Sequence, residues 1–212
     1  MARFLVVLDV DSTLIEDEVI ELLAEVAGTR EAVAEVTLRA MNGELDFAES
    51  LRERVATLAG LPTAVFAEVL SHVTVTRGVP ELIAAVHAAG GAVAVVSGGF
   101  HEVIDPLAER LGLDFWRANR LEVADGHLTG GLIPPIVDAA AKAEALGEWA
   151  DAVGVPLAQT LAVGDGANDL PMMALAGLSV GFDAKAPVRD VADVLLDERD
   201  LSMLLPLIGL GR

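Results

Sequence analysis

One stretch near the start of this 212-residue chain is the best guide to its fold. It reads Phe4-Leu5-Val6-Val7-Leu8-Asp9-Val10-Asp11-Ser12-Thr13. Its first five residues are all apolar, a pattern that predicts a strand buried on both faces of a parallel sheet. The strand ends in Asp9 and Asp11, and two carboxylates so close repel each other unless a proton or a cation lies between them. Ligands bind at the carboxyl ends of strands in open parallel sheets. The alternative is an Asx turn followed by a helix cap, because Asp, Ser and Thr all favour such positions.

The composition limits the class of protein. The formal net charge of -19 argues against nucleic acid or an anionic membrane as a partner. The chain has no cysteine, so neither a disulfide framework nor a thiolate zinc site is possible. No apolar run approaches the ~18 residues that span a bilayer, and Asp9 and Asp11 interrupt the N-terminal apolar stretch, which argues against a secretory signal. We therefore expect a soluble cytoplasmic protein.

Residues 17–70 follow a helical rather than a strand-like spacing of apolar residues. The first helix is expected to stop at Gly28. Its apolar stripe consists of Val19, Leu22, Leu23 and Val26. Thr29, Asp46 and Pro62 are typical first residues of three further helices. Because a crossover between parallel strands needs only one helix, we expect a small helical cap lobe, residues 14–76, inserted after the first strand of a core formed by residues 1–13 and 77–212.

From Gly78 onwards, helices and strands alternate along the chain. Helices are predicted at 80–89, 101–111, 139–153 and 170–176, strands at 92–96, 160–163 and 178–180, and a final strand and helix within 193–208. Between them, Asp125-Gly126 is typical of the two-residue turn of a β-hairpin. Alternating strands and helices predict an α/β fold, in which a Rossmann-like parallel sheet is covered by helices on both faces.

Three of the predicted buried strands end in unusual polar segments. These are Asp9 with Asp11, then Ser97-Gly98-Gly99, and finally Gly164-Asp165-Gly166-Ala167-Asn168-Asp169. Parallel strands place their carboxyl ends on one edge of the sheet, so the three segments are expected to converge on a single site. The carboxylates of Asp9, Asp11 and Asp165 would form a cation site of hard oxygen ligands that suits Mg²⁺.

An anion site is expected beside this cation. Ser97, together with backbone N–H groups of a glycine turn entering a helix, would cradle an anion, and Lys142 could add positive charge. Taken alone, the Ser97 segment is more typical of a plain loop and Lys142 of a surface lysine. A cation, an anion cradle, a lysine and a free carboxylate together describe phosphoryl transfer.

These motifs resemble those of a known group of enzymes. DxDST at 9–13, SGG at 97–99, the isolated Lys142 and GDGxND at 164–169 are similar, in order and spacing, to the four motifs of haloacid dehalogenase (HAD-like) superfamily phosphatases. Within that superfamily the chain resembles the phosphoserine phosphatases most closely. The likeness extends into the helical insert, at Glu18, Met41-x-Gly43, Asp46-Phe47 and Ser50-Leu51-Arg52-x-Arg54-Val55.

The resemblance implies a chemical role for each motif. Asp9 would be the nucleophile that takes the phosphoryl group, and Asp11 the acid and base that protonates the leaving group and then activates water. Mg²⁺ would lie on Asp9, on the backbone carbonyl of Asp11 and on Asp165. The implied reaction is Mg²⁺-dependent hydrolysis of O-phospho-L-serine through an aspartyl-phosphate, the last step of serine biosynthesis.

The resemblance also implies substrate contacts. Ser97, Gly98 and Lys142 would hold the phosphate, with Asn168 on the substrate side and Asp169 behind the cradle. Glu18 would meet the ammonium of phosphoserine and Arg54 its carboxylate, because a guanidinium fits a carboxylate bidentately. Met41 and Phe47 would be apolar cap groups that exclude water. Without the resemblance, Glu18 and Arg54 are more typical of exposed helical charges, and Met41 and Phe47 equally typical of lobe core.

Competing functions remain open from the sequence. A phosphatase for phosphohomoserine or a small sugar phosphate could use the same scaffold, although Glu18 and Arg54 disfavour the sugar. A binding module that senses phosphate or Mg²⁺ without turnover would be expected to lose Asp9 or Asp11, and both are present. A mutase would need a cap that reorients a bisphosphate, and the cap arginines give no support for one.

Overall fold

A seven-stranded sheet forms the centre of the molecule as far as the chain is described, which is residues 2–41 and 44–210 of the computed structural model. The strands are β1 Leu5–Leu8, β2 Ala92–Phe100, β3 Phe115–Ala124, β4 His127–Ile133, β5 Thr160–Gly164, β6 Leu178–Phe182 and β7 Val194–Leu196. Their order is β4-β3-β2-β1-β5-β6-β7. Neighbouring strands run parallel except for the antiparallel pair β3 and β4. The predicted α/β fold is confirmed.

The helices surround this sheet. They are α1 Val19–Ala27, α2 Arg30–Met41, α3 Phe47–Ala56, α4 Val65–His72, α5 Val79–Ala88, α6 His101–Leu111, α7 Ala139–Val153, α8 Leu170–Leu175 and α9 Ala186–Arg189. The predicted bounds of α6 and α7 are the observed ones. The short α9 was not predicted. No helix of the described chain is long and apolar enough to cross a bilayer.

The first strand is buried on both faces, as its run of apolar residues predicts. All four residues of β1 have no exposed surface. Val6 and Leu8 pack into the core cluster that includes residues of α1, α5 and α6. Leu5 and Val7 pack on the opposite face against α7 and α8. Because successive side chains of a strand point to opposite faces, a strand in this position needs an apolar residue at every position.

Four helices, α1 to α4, lie between β1 and α5, where the sequence predicts an inserted helical lobe. An antiparallel bridge between Ile15 and Val75 joins the two ends of this insertion. The division of the chain into a core and a cap lobe stays a prediction. The sequence Met41-Asn42-Gly43 also indicates a break between two helices, and its residues Asn42 and Gly43 lie outside the described part of the chain.

The predicted apolar stripe of α1 is only partly right. Its buried residues are Val19, Ile20, Leu23 and Ala24, whereas Leu22 is half-buried and Val26 is 37% exposed. At about 100° per residue, Val19, Ile20, Leu23 and Ala24 share one face, and Leu22 and Val26 lie on its flank. The helix ends at Gly28 as predicted, in a left-handed conformation with φ of 69°.

The segment Ser97-Gly98-Gly99 is not the turn that the sequence predicts. Strand β2 continues through it to Phe100, and α6 begins at the next residue. The pairing between β2 and β3 shifts register between Val96 and Phe100, so the segment is an irregular extension of the strand. Glycine suits it because a Cβ on Gly99 would lie 3.0 Å from Asp11 Oδ2.

The predicted hairpin is confirmed, and it contacts the helical insertion. Asp125 and Gly126 have φ of 49° and 75°, as a type I′ turn requires. Leu128 exchanges backbone hydrogen bonds with the connection between α3 and α4, accepting from Gly60 N–H and donating to Leu61 O, both at 2.8 Å. The hairpin therefore ties this connection to the sheet.

The predicted C-terminal helix is wrong. Two short 3₁₀ segments, Leu201–Leu204 and Pro206–Ile208, occupy its place. Pro206 lacks a backbone N–H and fits only the first turn of a helix, so it starts a new turn rather than continuing the old one.

Candidate active site

A cavity of about 110 Å³ lies at the carboxyl ends of β1, β2 and β5. These strands are adjacent in the sheet, which brings the three predicted polar segments together. The predicted site residues that line the cavity are Asp9, Asp11, Glu18, Phe47, Arg54, Gly98, Asp165 and Asn168. Core segments and the helical insertion both contribute to its wall.

Asp9 continues the end of β1 into the site. Its backbone N–H donates to Val163 O at 2.9 Å, so it still belongs to the ladder with β5. Its buried carboxylate accepts hydrogen bonds at Oδ1 from Val10 N–H at 2.7 Å and from Lys142 Nζ at 2.8 Å. Burial and the charge of Asp169 raise the pKa of Asp9 well above its usual value, and Lys142 opposes both effects.

Asp11 is turned back towards the site by the chain after Asp9. Ser12 has a φ of 58°, in the left-handed region, and Ile15 N–H closes the turn on Val10 O at 3.0 Å. Asp11 Oδ1 then accepts Val19 N–H at 3.0 Å, and Oδ2 lies 3.4 Å from the Ser97 hydroxyl. Burial, followed by the charge of Glu18, raises the pKa of Asp11 to about 7, so this group can exchange a proton near neutral pH.

Lys142 is a buried part of the site and not a surface residue. It lies in the first turn of α7, which begins at the capping residue Asp138. Its ammonium is 2.8 Å from Asp9 Oδ1 and 2.7 Å from Asp169 Oδ1, and the side chain is 1% exposed. Burial lowers the pKa of Lys142, but the charges of Asp9 and Asp169 outweigh it and hold the pKa above its usual value.

Three buried carboxylates could hold a metal ion. One carboxylate oxygen from each of Asp9, Asp165 and Asp169 lies within 4.8 Å of the others. The sequence predicted a cluster of the carboxylates of Asp9, Asp11 and Asp165. Among the described residues, the observed cluster contains Asp169 in place of Asp11. The Asp11 carboxylate faces Ser97 instead. A donor set of carboxylate oxygens suits a hard divalent cation.

The segment predicted to hold an anion belongs to β2. Ser97 is fully buried, and its Oγ accepts Gly99 N–H at 2.7 Å, so Gly98 and Gly99 form the cavity wall in front of it. Phe47, at the start of α3, lies directly over this wall, because a Cβ on Gly98 would be 3.0 Å from its ring. Glycine at position 98 therefore allows the insertion to approach the predicted anion cradle.

Two charges of the insertion reach the cavity. Glu18 precedes α1 and accepts the Ser12 hydroxyl at 2.7 Å. Arg54 lies on α3, whose first turn is fixed by a capping box between Asp46 and Glu49. Within residues 2–41 and 44–210, no carboxylate lies within ion-pair distance of the Arg54 guanidinium. Burial lowers the pKa of Arg54, although the charges of Glu18 and Asp11 oppose this effect. The side chain of Met41 lies outside the described part of the structure.

Lys185 is a site residue that the sequence did not assign. It follows β6, lines the cavity and places its Nζ 2.9 Å from Asp165 Oδ2. The hydrogen bond from Lys185 N–H to Asp165 O at 2.9 Å fixes the backbone around it. Its position after a strand, and its being one of the chain's two lysines, were the signals that could have found it.

The chain is similar to a known family of hydrolases and to phosphoserine phosphatases within it. A family model of haloacid dehalogenase-like hydrolases matches residues 6–174. A phosphoserine phosphatase of Streptomyces coelicolor is 54% identical over all of this chain and 52% of its own length. One of Lactococcus lactis is 47% identical, over 98% of this chain and 96% of its own. The chain thus spans about half of the first relative and nearly all of the second.

The fold is also similar to solved structures of phosphoserine phosphatases. A substrate-bound phosphoserine phosphatase complex superposes with a TM-score of 0.92 at 41% identity, covering 98% of this chain and 99% of that one. An analogue of the phospho-aspartyl intermediate of a phosphoserine phosphatase superposes with a TM-score of 0.91, also at 41% identity, covering 98% and 100%.

Proposed function

The chain belongs to the haloacid dehalogenase-like hydrolase family, and from that premise we propose that it hydrolyses O-phospho-L-serine to L-serine and phosphate. The observation that carries this proposal is the pairing of two features in one cavity. One is Asp9, which lines the cavity and pairs with the buried Lys142, and the other is Arg54, whose guanidinium lacks a carboxylate partner among the described residues. Phosphoserine supplies a phosphate for the first and a carboxylate for the second.

Asp9 attacks phosphorus in the proposed first step. A carboxylate oxygen forms a bond to phosphorus while the bond from phosphorus to the serine oxygen breaks, giving an aspartyl-phosphate. Asp9 must be ionised to attack. Burial and the charge of Asp169 raise its pKa, and the Lys142 ammonium opposes this, as a bound cation would. The similarity of the chain to phosphoserine phosphatases, and to the structure of a phospho-aspartyl intermediate analogue of one, supports this step.

Asp11 moves the proton in both steps. As an acid it gives its proton to the departing serine oxygen, and as a carboxylate it then takes a proton from the water that attacks the aspartyl-phosphate. A group that works in both directions is most efficient with a pKa near the working pH, and burial with Glu18 raises that of Asp11 to about 7.

The amino-acid part of the substrate is held by the insertion. Arg54 binds the carboxylate, and Glu18 attracts the ammonium. Phe47 covers the phosphate cradle at Gly98 and keeps water from it. Asn168 lines the same cavity on the substrate side, while Ser97 and Gly98 hold phosphate oxygens beside Lys142.

The residues present fit Mg²⁺ as the cofactor. Asp9, Asp165 and the backbone carbonyl of Asp11 would hold it. Both carboxylate oxygens of Asp169 are engaged, Oδ1 by Lys142 and Oδ2 by Gly166 N–H at 3.2 Å. The lysines that pair with Asp9 and Asp165 contact only one oxygen of each. When bound, Mg²⁺ would supply positive charge that the substrate phosphate needs beside several carboxylates. The reaction would be the last step of serine biosynthesis.

Phosphate release from a panel of phosphomonoesters tests this function. The panel contains O-phospho-L-serine, phosphohomoserine, a hexose phosphate and p-nitrophenyl phosphate, each with Mg²⁺ and with EDTA. We expect the highest kcat/KM for phosphoserine, by about ten- to hundredfold over phosphohomoserine, which adds one methylene. A higher kcat/KM for phosphohomoserine than for phosphoserine would identify phosphohomoserine as the substrate instead. If none of the esters is hydrolysed, the phosphatase function is refuted.

A further inference from the structure

We propose that Asn119 is a positioning residue that keeps the Gly98 carbonyl turned away from the phosphate cradle. The inference rests on the proposed function only in that the cradle receives a phosphate. Asn119 lies on β3, next to β2, and is 1% exposed. Its Nδ2 donates to Gly98 O at 2.8 Å, and its Oδ1 accepts Val137 N–H at 2.8 Å.

The peptide that Asn119 holds is unusually free to rotate. It joins Gly98 to Gly99, so no Cβ on either side hinders a flip of the peptide plane. Two contacts oppose the flip. Asn119 holds the carbonyl end, and Ser97 Oγ accepts the N–H end, Gly99 N–H, at 2.7 Å.

A flip would matter because both glycines line the cavity. The Gly98 carbonyl now points to a buried amide, and the N–H at the other end of the same peptide faces Ser97 Oγ. After a flip the partial negative charge of the carbonyl would face that hydroxyl, which is proposed to hold the phosphate. An anion cradle works through N–H groups that are already oriented towards the anion. We therefore expect Asn119 to act on phosphate affinity although it does not line the cavity.

The orientation of the Asn119 amide is itself fixed. Val137 N–H can only donate a hydrogen bond, so the side-chain oxygen must face it, and the NH₂ group is left to face the Gly98 carbonyl. Val137 directly precedes Asp138, the capping residue of α7, whose first turn carries Lys142. One buried amide thus connects the cradle on β2 with the helix that supplies the ammonium.

Neutral substitutions test the proposal without changing the charge of the site. In Asn119→Ala both contacts are lost, and Asn119→Leu, which fills a similar volume, is the second variant should the first not fold. The matched control is Thr160→Val, which removes another buried hydrogen-bonding side chain of the sheet. Thr160 begins β5, at the edge away from the cavity, and bonds Leu157 O at 2.7 Å and Gly177 N–H at 3.3 Å.

The readout is the affinity for inorganic phosphate, measured by calorimetry with Mg²⁺ present, beside the Tm of each protein. We expect at least about tenfold weaker phosphate binding in the Asn119 variants, the loss typical of a displaced donor to a charged group. KM for phosphoserine and for p-nitrophenyl phosphate should rise together. Thr160→Val should lower Tm and leave phosphate affinity unchanged.

Two outcomes separate this inference from the proposed function. Folded Asn119 variants that bind phosphate as tightly as the wild type would overturn the inference, while leaving phosphoserine hydrolysis by the wild type intact. Conversely, a wild type that binds phosphate but hydrolyses no phosphomonoester would refute the proposed function. Weaker phosphate binding in the Asn119 variants would still support the inference in that case.

Discussion

Lys142 shows how burial and charge oppose each other at single residues of this site. Burial alone would favour the neutral amine, yet Asp9 and Asp169 lie within 2.8 Å and hold the ammonium in its charged form. Removing one partner of a buried ion pair costs about 3–5 kcal/mol, since the other charge is left without compensation. The three side chains therefore form one unit, and a change in any of them affects the other two.

Arg54 is expected to determine which phosphate ester is hydrolysed. Arg54→Ala leaves the substrate carboxylate without its partner, a loss of roughly 2–5 kcal/mol for a desolvated pair and less if water enters. On the scale of ~1.4 kcal/mol per tenfold, kcat/KM for phosphoserine should fall by about two decades. Hydrolysis of p-nitrophenyl phosphate, which carries neither ammonium nor carboxylate, should change far less. Steady-state kinetics with both esters measure this.

Arg52 provides the control for this prediction. It lies on the same helix but is exposed and lines a different groove, beside Gly130 and Asp138. Arg52→Ala should therefore behave as a surface change with both esters. Equal slowing of both esters by Arg54→Ala would show that the insertion does not recognise the amino acid.

Asp200 is expected to make stability depend on acid pH. Its carboxylate accepts the Ser202 hydroxyl at 2.6 Å and Ser202 N–H at 3.0 Å, and pairs with Arg77 Nε at 3.0 Å. The Ser202 hydroxyl, against an opposing effect of burial, lowers the pKa of Asp200 below its usual value. A lowered folded-state pKa stabilises the protein above the unfolded-state pKa of ~3.9, and this stabilisation disappears as pH falls through the folded-state pKa.

The variant that tests this is Asp200→Asn. At pH 7 it should lower the free energy of unfolding by about 1 kcal/mol, the size of one hydrogen-bond contribution. The difference from wild type should shrink as pH falls below about 4. Urea denaturation of both proteins between pH 3 and pH 7 measures it, and a difference independent of pH would contradict the ionic role of Asp200.

At the scale of helices and strands, local patterns predicted the elements well where the chain carries its own stop and start signals. Helix α7 has its predicted bounds, and the structure shows the reason: Asp138 caps its start and Gly154 follows its end, two residue types that favour helix ends. The extension of β2 through Ser97–Gly99 could not be read in this way. The pairing with β3 resumes only at Phe100, after a shift of register, and glycines in a sequence indicate a turn as readily as a close approach.

Gly78 is expected to be indispensable to the packing of α5. Its φ is 83°, and an added Cβ would overlap Ser202 N and Asp200 Oδ1. Gly78→Ala should combine backbone strain with overpacking and lower the free energy of unfolding by about 3 kcal/mol. Gly112→Ala is the matched control, because its φ is 74° but nothing lies within 4 Å of the added Cβ. It should cost only about 1 kcal/mol.

Chemical denaturation of the two glycine variants separates strain from contact. Both carry the same left-handed backbone requirement, so the difference between them reports the clash with the segment 200–202. Equal losses of unfolding free energy in the two variants would mean that this segment moves aside at little cost. Gly78 would then not be needed for the packing of α5.

At the scale of the whole molecule, the order of strands assembles the site. Asp9, Ser97 and Asp165 are far apart in sequence, yet their strands β1, β2 and β5 are neighbours, as the parallel-sheet rule predicts. Two features were beyond this rule. Lys185 reaches Asp165 from the end of β6, and Asp169 joins the acidic cluster by its side-chain direction. Both depend on distances across the finished fold rather than on spacing along the chain.

Metal removal should abolish activity. Asp9, Asp11 and Asp165 line the cavity that is proposed to receive a phosphate dianion, in a chain of net charge -19, and the repulsion would need a cation to offset it. Hydrolysis of phosphoserine should stop with EDTA and return with Mg²⁺. Ca²⁺, which prefers more ligands at longer distances, should restore it poorly. Full activity after exhaustive chelation would contradict the proposed cation site.

Covalent labelling of Asp9 tests its proposed role as the nucleophile. Enzyme mixed with phosphoserine labelled in its phosphoryl group is quenched in acid during turnover and digested, and the labelled peptide is sequenced. We predict an acyl-phosphate on Asp9 that hydroxylamine releases, and no label and no turnover in Asp9→Asn, because an amide does not attack phosphorus. Turnover without label on Asp9, or label on a peptide that lacks Asp9, would contradict the nucleophilic role of this residue.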